Sequence, residues 1–455
     1  MRVNERILTY RISEEAFLLL NTLTGAIDIT TPQIYDALEN FSAVQHLTLD
    51  EFTKERLRKR GYIFDSPDDE TRWLQLIKDA HGKQEKTLDY IVSLTYNCNL
   101  RCAYCFEGDL TYTRRNYMDI DDVQHVFAAI DELSDGYSNH RKLIKLFGGE
   151  PLLPRNKQAI RRVLTEARQR SLPVSAVTNG TYANDYADLF DEFADVIVAA
   201  QVTLDGSKEI HDSRRKSHDG RGSFDDVCAA IEMFLAKNIK INVRTNLDMQ
   251  NIGRLREHFD LLVTKGWMDN PDFGCSLSPV EDHSCSGTYA FYLPENLLVK
   301  EFYDQVKESP EMADAFRLGL FRNLKHIKSV VNTSRPVLPL LHYCEANNLE
   351  HIVFGPDGYI YPCTECLGRP DLAMGKFHPQ LEMFDDVVKM WNGRNVLRMN
   401  KCRECDIALL CGGGCAYSAL VVNGDINEPV CNNARETIFA YLDYIKADLA
   451  DKASA

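Results

Sequence analysis

From residue 88 onward the apolar positions repeat in one pattern: a short apolar run, then a longer stretch with apolar residues three and four apart. Runs at 88–94, 142–147, 173–178, 196–204, 239–246 and 272–277 read as buried strands. Between the first two, Val123, Val126, Phe127, Ile130 and Leu133 form a helical stripe, and 155–169, 183–193, 223–236 and 252–265 carry similar spacing. Strand and helix in alternation imply parallel βαβ units. The first 80 residues are patterned differently. Ile7–Ile12 and Gly25–Ile29 read as short strands, Thr31-Pro32 as a helix start, Leu49–Arg60 as a second helix stopped at Gly61, and Tyr62–Phe64 as a strand. The expected division is a small module over 1–80, an α/β unit over 81–330 and a distinct segment over 331–455.

Composition narrows the class. The chain has 455 residues, 44% of them hydrophobic, enough for more than one core. A net charge of −15 argues against general binding to nucleic acid or to an anionic membrane. No apolar run reaches the roughly 18–20 residues of a membrane span, and the N-terminus lacks a secretion-signal pattern. A cytoplasmic protein is expected. Its 14 cysteines are clustered: three within Cys98–Cys105, eight between Cys344 and Cys431. In a reducing compartment such clustering reads as metal ligation.

The first cluster is Cys98-Asn99-Leu100-Arg101-Cys102-Ala103-Tyr104-Cys105, directly after the first strand. A zinc site wants four ligands, usually as separated CxxC pairs. Three close thiolates with no local fourth suit a [4Fe–4S] cluster with one iron left open. CxxxCxxC with an aromatic before its last cysteine (Tyr104) resembles the radical S-adenosylmethionine (SAM) enzymes. The resemblance implies a partial (β/α)6 barrel and an open iron that chelates SAM. It also implies reductive cleavage of SAM to a 5′-deoxyadenosyl radical that abstracts hydrogen from the substrate.

Other strand ends extend the likeness. Gly148-Gly149-Glu150-Pro151 resembles the family's GGEP element beside the SAM ammonium. Thr178-Asn179-Gly180, Thr203-Leu204-Asp205-Gly206 and Arg244-Thr245-Asn246 resemble its SAM-lining segments. By that resemblance Tyr104, Gly148, Gly149, Glu150, Thr178, Asn179, Thr203, Asp205 and Arg244 bind the cofactor. Arg244 is suited to a paired hydrogen bond with the SAM carboxylate. His211-Asp212-Ser213-Arg214-Arg215 is also family-like, without an assigned role. Cys228 sits on an apolar helical face and reads as a buried small hydrophobe; Cys275 and Cys285 are not expected to ligate.

The C-terminal series CX13GX4C, then CX2CX5CX3C, then a last cysteine, resembles the SPASM extension of radical SAM enzymes that modify peptides. It implies two auxiliary [4Fe–4S] clusters, three clusters in all. Cys402, Cys405, Cys411 and Cys431 would hold the outer one, and Cys344, Cys363 and Cys415 the inner one. Cys366 is the available eighth thiolate; without it the inner cluster has an open iron. Glycines 412–414 allow a tight wrap between ligands.

The family likeness implies a radical SAM/SPASM peptide maturase acting on a ribosomally made precursor and installing an oxidative crosslink, a thioether first and a carbon–carbon bond next. The 1–80 module resembles winged-helix modules that hold a leader peptide as an added strand. Flavodoxin or ferredoxin is the implied electron donor. An anaerobic sulfatase maturase is the alternative, but Thr364 stands where those enzymes place a basic aspartate, with Glu365 next to it. Glu365 is the candidate acid–base residue, by position alone. A non-catalytic Fe–S carrier is disfavoured by the intact cysteine and GGEP elements.

Overall fold

The computed structural model describes residues 1–455 apart from 42–47, 114–115, 136–139, 284, 334–336 and 455. At the N-terminus β1 (Arg2–Val3) pairs antiparallel with β5 (Ile63–Phe64). Between them β2 (Ile7–Arg11), β3 (Phe17–Asn21) and β4 (Ile27–Thr30) form an antiparallel three-stranded sheet. The helix Pro32–Glu39 begins at Thr31-Pro32, and Glu51–Lys59 is capped by Asp50, whose side chain accepts from the Thr53 amide. Two elements differ from the pattern-based reading. The segment Phe17–Asn21 (FLLLN) is an inner strand; its unbroken apolar run shows no alternation because it is covered on both faces. Pro67–Gly82 is a helix that opens on a Ser66/Asp69 capping box, the Ser66 amide donating to Asp69 at 3.0 Å. Its sequence is mostly polar, with Ile77 its one buried side chain, so hydrophobic spacing gives little sign of it.

The rest of the chain is built on one sheet of eleven strands. Six strands run parallel and in chain order: β6 (Thr87–Ser93), β7 (Arg141–Phe147), β8 (Val174–Thr178), β9 (Ile197–Thr203), β10 (Lys240–Leu247) and β11 (Phe273–Pro279). β12 (Phe316–Arg317) extends one edge. On the other edge β13 (His351–Phe354) adds parallel to β6. β14 (Tyr359–Tyr361), β15 (Gly375–Lys376) and β16 (Glu382–Met383) follow antiparallel. The six strands match the apolar runs to within a residue or two, and the helices Ile120–Ser134, Lys157–Gln169, Phe224–Ala236 and Leu255–Thr264 fall on the helical stripes.

Period-two alternation decides what each sheet face does. Leu88, Tyr90 and Val92, then Ile144 and Leu146, Val174 and Ala176, Ala200 and Val202, and Ile241 and Val243 face the helices in one continuous core. The alternate residues of the later strands, Gln201, Thr203, Asn242, Arg244, Ser276 and Ser278, are polar. Both faces of a parallel sheet are normally apolar, so this second face is reserved for something other than packing.

Candidate functional site: the mouth of the parallel sheet

Each βα turn at the C-terminal ends of these strands delivers side chains to one place. The cysteine loop leaves β6 and is strapped down by backbone bonds to the segment after β9. Leu100 bridges Ser217, and the amides of Arg101 and Ala103 donate to the carbonyls of Lys216 (2.7 Å) and Arg214 (3.3 Å). The turn after β7 presses against the same loop: the amides of Gly149 and Glu150 donate to the carbonyls of Thr95 and Asn97, both at 2.9 Å. A Cβ on Gly148 would stand 2.4 Å from the Thr95 carbonyl oxygen, and one on Gly149 2.3 Å from that of Tyr96. That close approach is what the two glycines permit.

Glu150 is fully buried. Its carboxylate accepts from the Leu152 amide (2.8 Å), the Thr178 hydroxyl (2.6 Å) and the Asn179 amide (2.6 Å). Burial raises its pKa and these donors pull it back. Glu150 therefore braces the ends of β7 and β8. Asn179 in turn reaches the cysteine loop, its Nδ2 lying 3.7 Å from Cys98 Sγ and 2.9 Å from Asn99 Oδ1.

A second brace centres on Tyr104. Its hydroxyl donates to Asp205 and accepts from Arg215 Nη1 (2.7 Å) and Asn246 Nδ2 (3.2 Å). Arg214 lies over the Tyr104 ring, 4.8 Å from its centroid, and pairs with Asp248 (2.9 Å) and Asp205 (3.5 Å). Burial opposes ionisation of Asp205, but Arg214 and Arg215 outweigh it and hold its pKa below the usual carboxylate range. Burial pushes the Cys102 thiol up, with Arg215 and Arg214 pulling it back. The HDSRR segment thus gains a role that motif reading did not supply: two buried arginines that fasten the cysteine loop to β9 and β10.

Arg244 and Thr203 lie directly across from one another in the β9–β10 register. Arg244 donates to Asn246 Oδ1 (2.9 Å) and Ser278 Oγ (2.8 Å), and burial lowers its pKa. Among the described residues it forms no ion pair with a carboxylate within 4 Å. A half-buried guanidinium held only by neutral acceptors suits an external carboxylate.

A cavity of about 290 Å³ opens beside this platform. Tyr104, Cys105 and Phe106 form one wall, the loop after β11 (Glu281 to His283, with Tyr289 and Tyr292) another, and Glu365 with Tyr417 the third. His283 Nε2 lies 2.9 Å from Glu281 and 3.8 Å from Glu365. Burial works against its protonation, yet Cys415, Glu281 and Glu365 together push its pKa up to about 12. Burial raises Glu365 to about 7, with His283 pulling it down and Glu281 pushing it up. Glu107 is raised to about 8 by burial and then by Glu365. Sequence reading placed Glu365 near a ligand but missed Glu107, Glu281 and His283, which belong to no repeating pattern; only Glu107, two residues after Cys105, carried a positional hint.

The C-terminal thiols converge in two sets. Burial raises the pKa of Cys363, followed by the neighbouring charges of Cys366, Glu365, Cys344 and Cys415. Cys402 is raised by burial and then by Cys411, Cys431 and Cys405. Cys366 is fully buried within the first set. All fourteen thiols are free of disulfides, with Cys228 and Cys275 buried and Cys285 exposed.

Two observations test the fit of clusters to these sets. A zinc tetrahedron with Zn–S near 2.3 Å would bring its sulfurs to roughly 3.8 Å from one another. Among the described residues, no three of these thiols have their sulfurs within 4.8 Å of one another, so they do not form a ready-made zinc tetrahedron. Arg394, 1% exposed, lies between the sets, donating to the carbonyls of Gly413 (2.6 Å) and Ile426 (2.7 Å). Its nearby negative groups are Cys344, Cys415, Cys402 and Cys411, and it has no carboxylate ion pair among the described residues. An unpaired buried cation is costly; anionic thiolate clusters on both sides would compensate it.

The N-terminal unit packs on the outer set. Leu23, Phe64 and Ile77 share a core with Cys402, Met399 and Leu409, and Thr22 Oγ1 donates to the Asp406 carbonyl at 2.6 Å.

Comparison with known proteins agrees with this geometry. Residues 92–262 match the family model of the radical SAM superfamily. The cysteine-type anaerobic sulfatase-maturating enzyme of Clostridium novyi is 24% identical over 337 residues, 70% of this chain and 85% of that one. An uncharacterized protein of Archaeoglobus fulgidus is 22% identical over 368 residues, 78% and 81% of the two chains. Among solved structures, anSMEcpe with bound AdoMet and a Kp18Cys peptide superposes with a TM-score of 0.57 at 18% identity, covering 81% of this chain and 99% of that one. Streptococcus suis SuiB bound to S-adenosylmethionine gives 0.55 at 14% identity, covering 96% and 100%, and SuiB has also been solved with its precursor peptide SuiA. At such identities the likeness is one of fold. No helix among the described residues is long and apolar enough to cross a membrane.

Proposed function

We propose that this protein is a radical SAM peptide maturase that installs an oxidative crosslink, a thioether first, in a ribosomally made precursor peptide. The observation that carries the reading is the cavity itself. It is bounded on one side by Tyr104-Cys105-Phe106 and on the other by Glu365, which stands between Cys363 and Cys366. A substrate there would lie between a SAM-cleaving centre and a second metal-ligating loop.

Cys98, Cys102 and Cys105 would hold one [4Fe–4S] cluster, Cys344, Cys363, Cys366 and Cys415 the inner auxiliary one, and Cys402, Cys405, Cys411 and Cys431 the outer one. Arg244 would take the SAM carboxylate, with Thr203, Thr178 and Asn179 beside it. When bound, these groups supply a 5′-deoxyadenosyl radical for hydrogen abstraction and a sink for the electron that oxidation releases. The chain's own contribution is to orient the peptide and to move a proton. Joining a thiol to a carbon removes two hydrogens from the peptide, one taken by 5′-deoxyadenosyl and one leaving as a proton. Glu365, whose nearest cationic group is His283 at 3.8 Å, is placed to accept that proton. The residues 1–80 would hold the leader, and flavodoxin or ferredoxin would deliver the initiating electron in the cytoplasm.

The sulfatase-maturase reading draws on the Clostridium relative. Thr364 in place of the expected aspartate, and an N-terminal unit packed on the outer thiols, favour the precursor-peptide reading over it. The test is a metal and product analysis. Anaerobically reconstituted protein should hold roughly twelve irons per chain, as three four-iron clusters require, and form 5′-deoxyadenosine from SAM and dithionite. Formylglycine on a sulfatase peptide, with no change in a precursor peptide, would favour the alternative.

A further inference from the structure

The cysteine loop is flanked by a second recess, on the side of Cys98 rather than Cys105. It measures about 450 Å³ and is lined by Asn97, Cys98, Arg101, Arg155 and His218 among others. Its charge sets it apart. The chain has 67 acidic residues against 52 basic ones. The substrate cavity contains Glu281, Asp282 and Glu365. A further recess, at the opposite ends of the strands, contains four carboxylates, Glu85, Asp89, Glu345 and Glu350, with Lys86 and His351. Among the described residues lining the recess beside Cys98 there is no carboxylate, while two arginines and a histidine are present. Arg101, Arg155 and His218 are exposed; on the strap that holds the loop Lys216 is exposed too, with one exposed carboxylate, Asp219, beside His218.

These side chains are also held in place. Arg101 Nε donates to His218 Nδ1 at 3.0 Å, which leaves the His218 Nε2 proton for the Cys98 carbonyl, also at 3.0 Å. Arg155 lies over the Tyr117 ring, 4.1 Å from its centroid. The basic rim is thus one hydrogen bond removed from a cysteine of the loop, whereas the Tyr104–Cys105 end is given to the substrate cavity.

We propose that this recess is the docking surface for an acidic electron-transfer protein, so that electrons enter at the Cys98 end and substrate is handled at the Cys105 end. The proposal rests on the radical SAM reading above, which requires one electron per SAM cleaved. Electron transfer falls steeply with distance, and Cys98 itself lines this recess, so a donor seated there would lie close to the loop. A local positive field on a protein of net negative charge would orient an acidic partner and repel a basic one. Weak electron-transfer encounters use small interfaces of this kind.

The experiment measures binding of a purified bacterial flavodoxin to the reconstituted holoenzyme at low and moderate salt. Arg155→Glu/Lys216→Glu is compared with a charge-matched control, Lys300→Glu/Lys307→Glu, on the helix Glu295–Glu308. The docking variant should bind about tenfold or more weakly and lose much of its salt dependence, while the control keeps wild-type affinity. Flavodoxin-driven 5′-deoxyadenosine formation should fall in parallel, and dithionite-driven formation should be unchanged in both. Equal affinity in the two variants, or no saturable binding of flavodoxin or of a ferredoxin to the wild type, would overturn the proposal. Failure of the wild type to make 5′-deoxyadenosine even with dithionite would instead overturn the reading on which it rests.

Discussion

Arg215 Nη1 donates to the Tyr104 hydroxyl at 2.7 Å, joining the cysteine loop to the segment that follows β9 across 111 residues of sequence. The same hydroxyl serves Asp205 and Asn246, so one phenol ties the loop to two strand ends.

Replacing Tyr104 by Phe keeps the ring under Arg214 and removes only that hydroxyl. Asp205 and Arg215 then face an apolar edge, at a cost of about 1–3 kcal/mol for unsatisfied buried groups. We expect a lower unfolding midpoint and faster iron loss from the first cluster, checked by denaturation and by iron release to a chelator. Unchanged midpoint and iron retention would show the brace to be idle.

Arg394 makes a prediction about potential rather than folding. As the buried cation between the two C-terminal thiol sets, it should favour the more reduced state of whatever fills them. Arg394→Met should lower the potential of any cluster these two sets hold, on the order of 60 mV, the equivalent of about 1.4 kcal/mol for one electron. Potentiometric titration followed by electron paramagnetic resonance reads the shift, and the first cluster serves as internal reference.

Much of this was legible in the sequence, for identifiable reasons. The six parallel strands were visible because burial on the helix side forces apolar residues at alternate positions. The thiol sets were visible because ligand spacing along a loop is local. Glu281, His283 and the role of Arg214 were not, because each acts through partners distant in sequence and leaves no periodic trace. Phe17–Asn21 and Pro67–Gly82 were hidden for opposite reasons, one too uniformly apolar and the other too polar.

Glu295 offers a pH test away from the cysteines. It is 9% exposed, accepts from Asn323 Nδ2 at 3.0 Å, and has a second oxygen, Oε1, with no hydrogen-bond partner among the described residues. Burial, then Glu281, pushes its pKa up to about 8. A carboxyl that binds its proton more tightly when folded costs nothing below its unfolded pKa. Its penalty grows as pH rises toward 8 and is complete above that. Glu295→Gln should therefore raise the melting temperature above pH 8, by roughly 2–4 °C for each kcal/mol relieved, and leave it unchanged near pH 4. The reverse order would refute the assignment.

Glu365→Gln separates SAM cleavage from peptide chemistry. The amide keeps the shape but gives up the proton acceptor, and general-base contributions run to about 10²–10⁴-fold. Crosslinked peptide should fall by about 10²-fold while 5′-deoxyadenosine still forms. Parallel loss of both would place Glu365 in the cofactor site instead.

The central claim is tested most directly by the mass of the peptide product. Reconstituted protein is incubated anaerobically with SAM, dithionite and a precursor peptide encoded beside its gene, and the peptide is read by high-resolution mass spectrometry. The account predicts a product lighter by two hydrogens per crosslink, formed together with 5′-deoxyadenosine, with fragmentation locating the new bond. A protein of full iron content that makes no 5′-deoxyadenosine and leaves the peptide unchanged would contradict it.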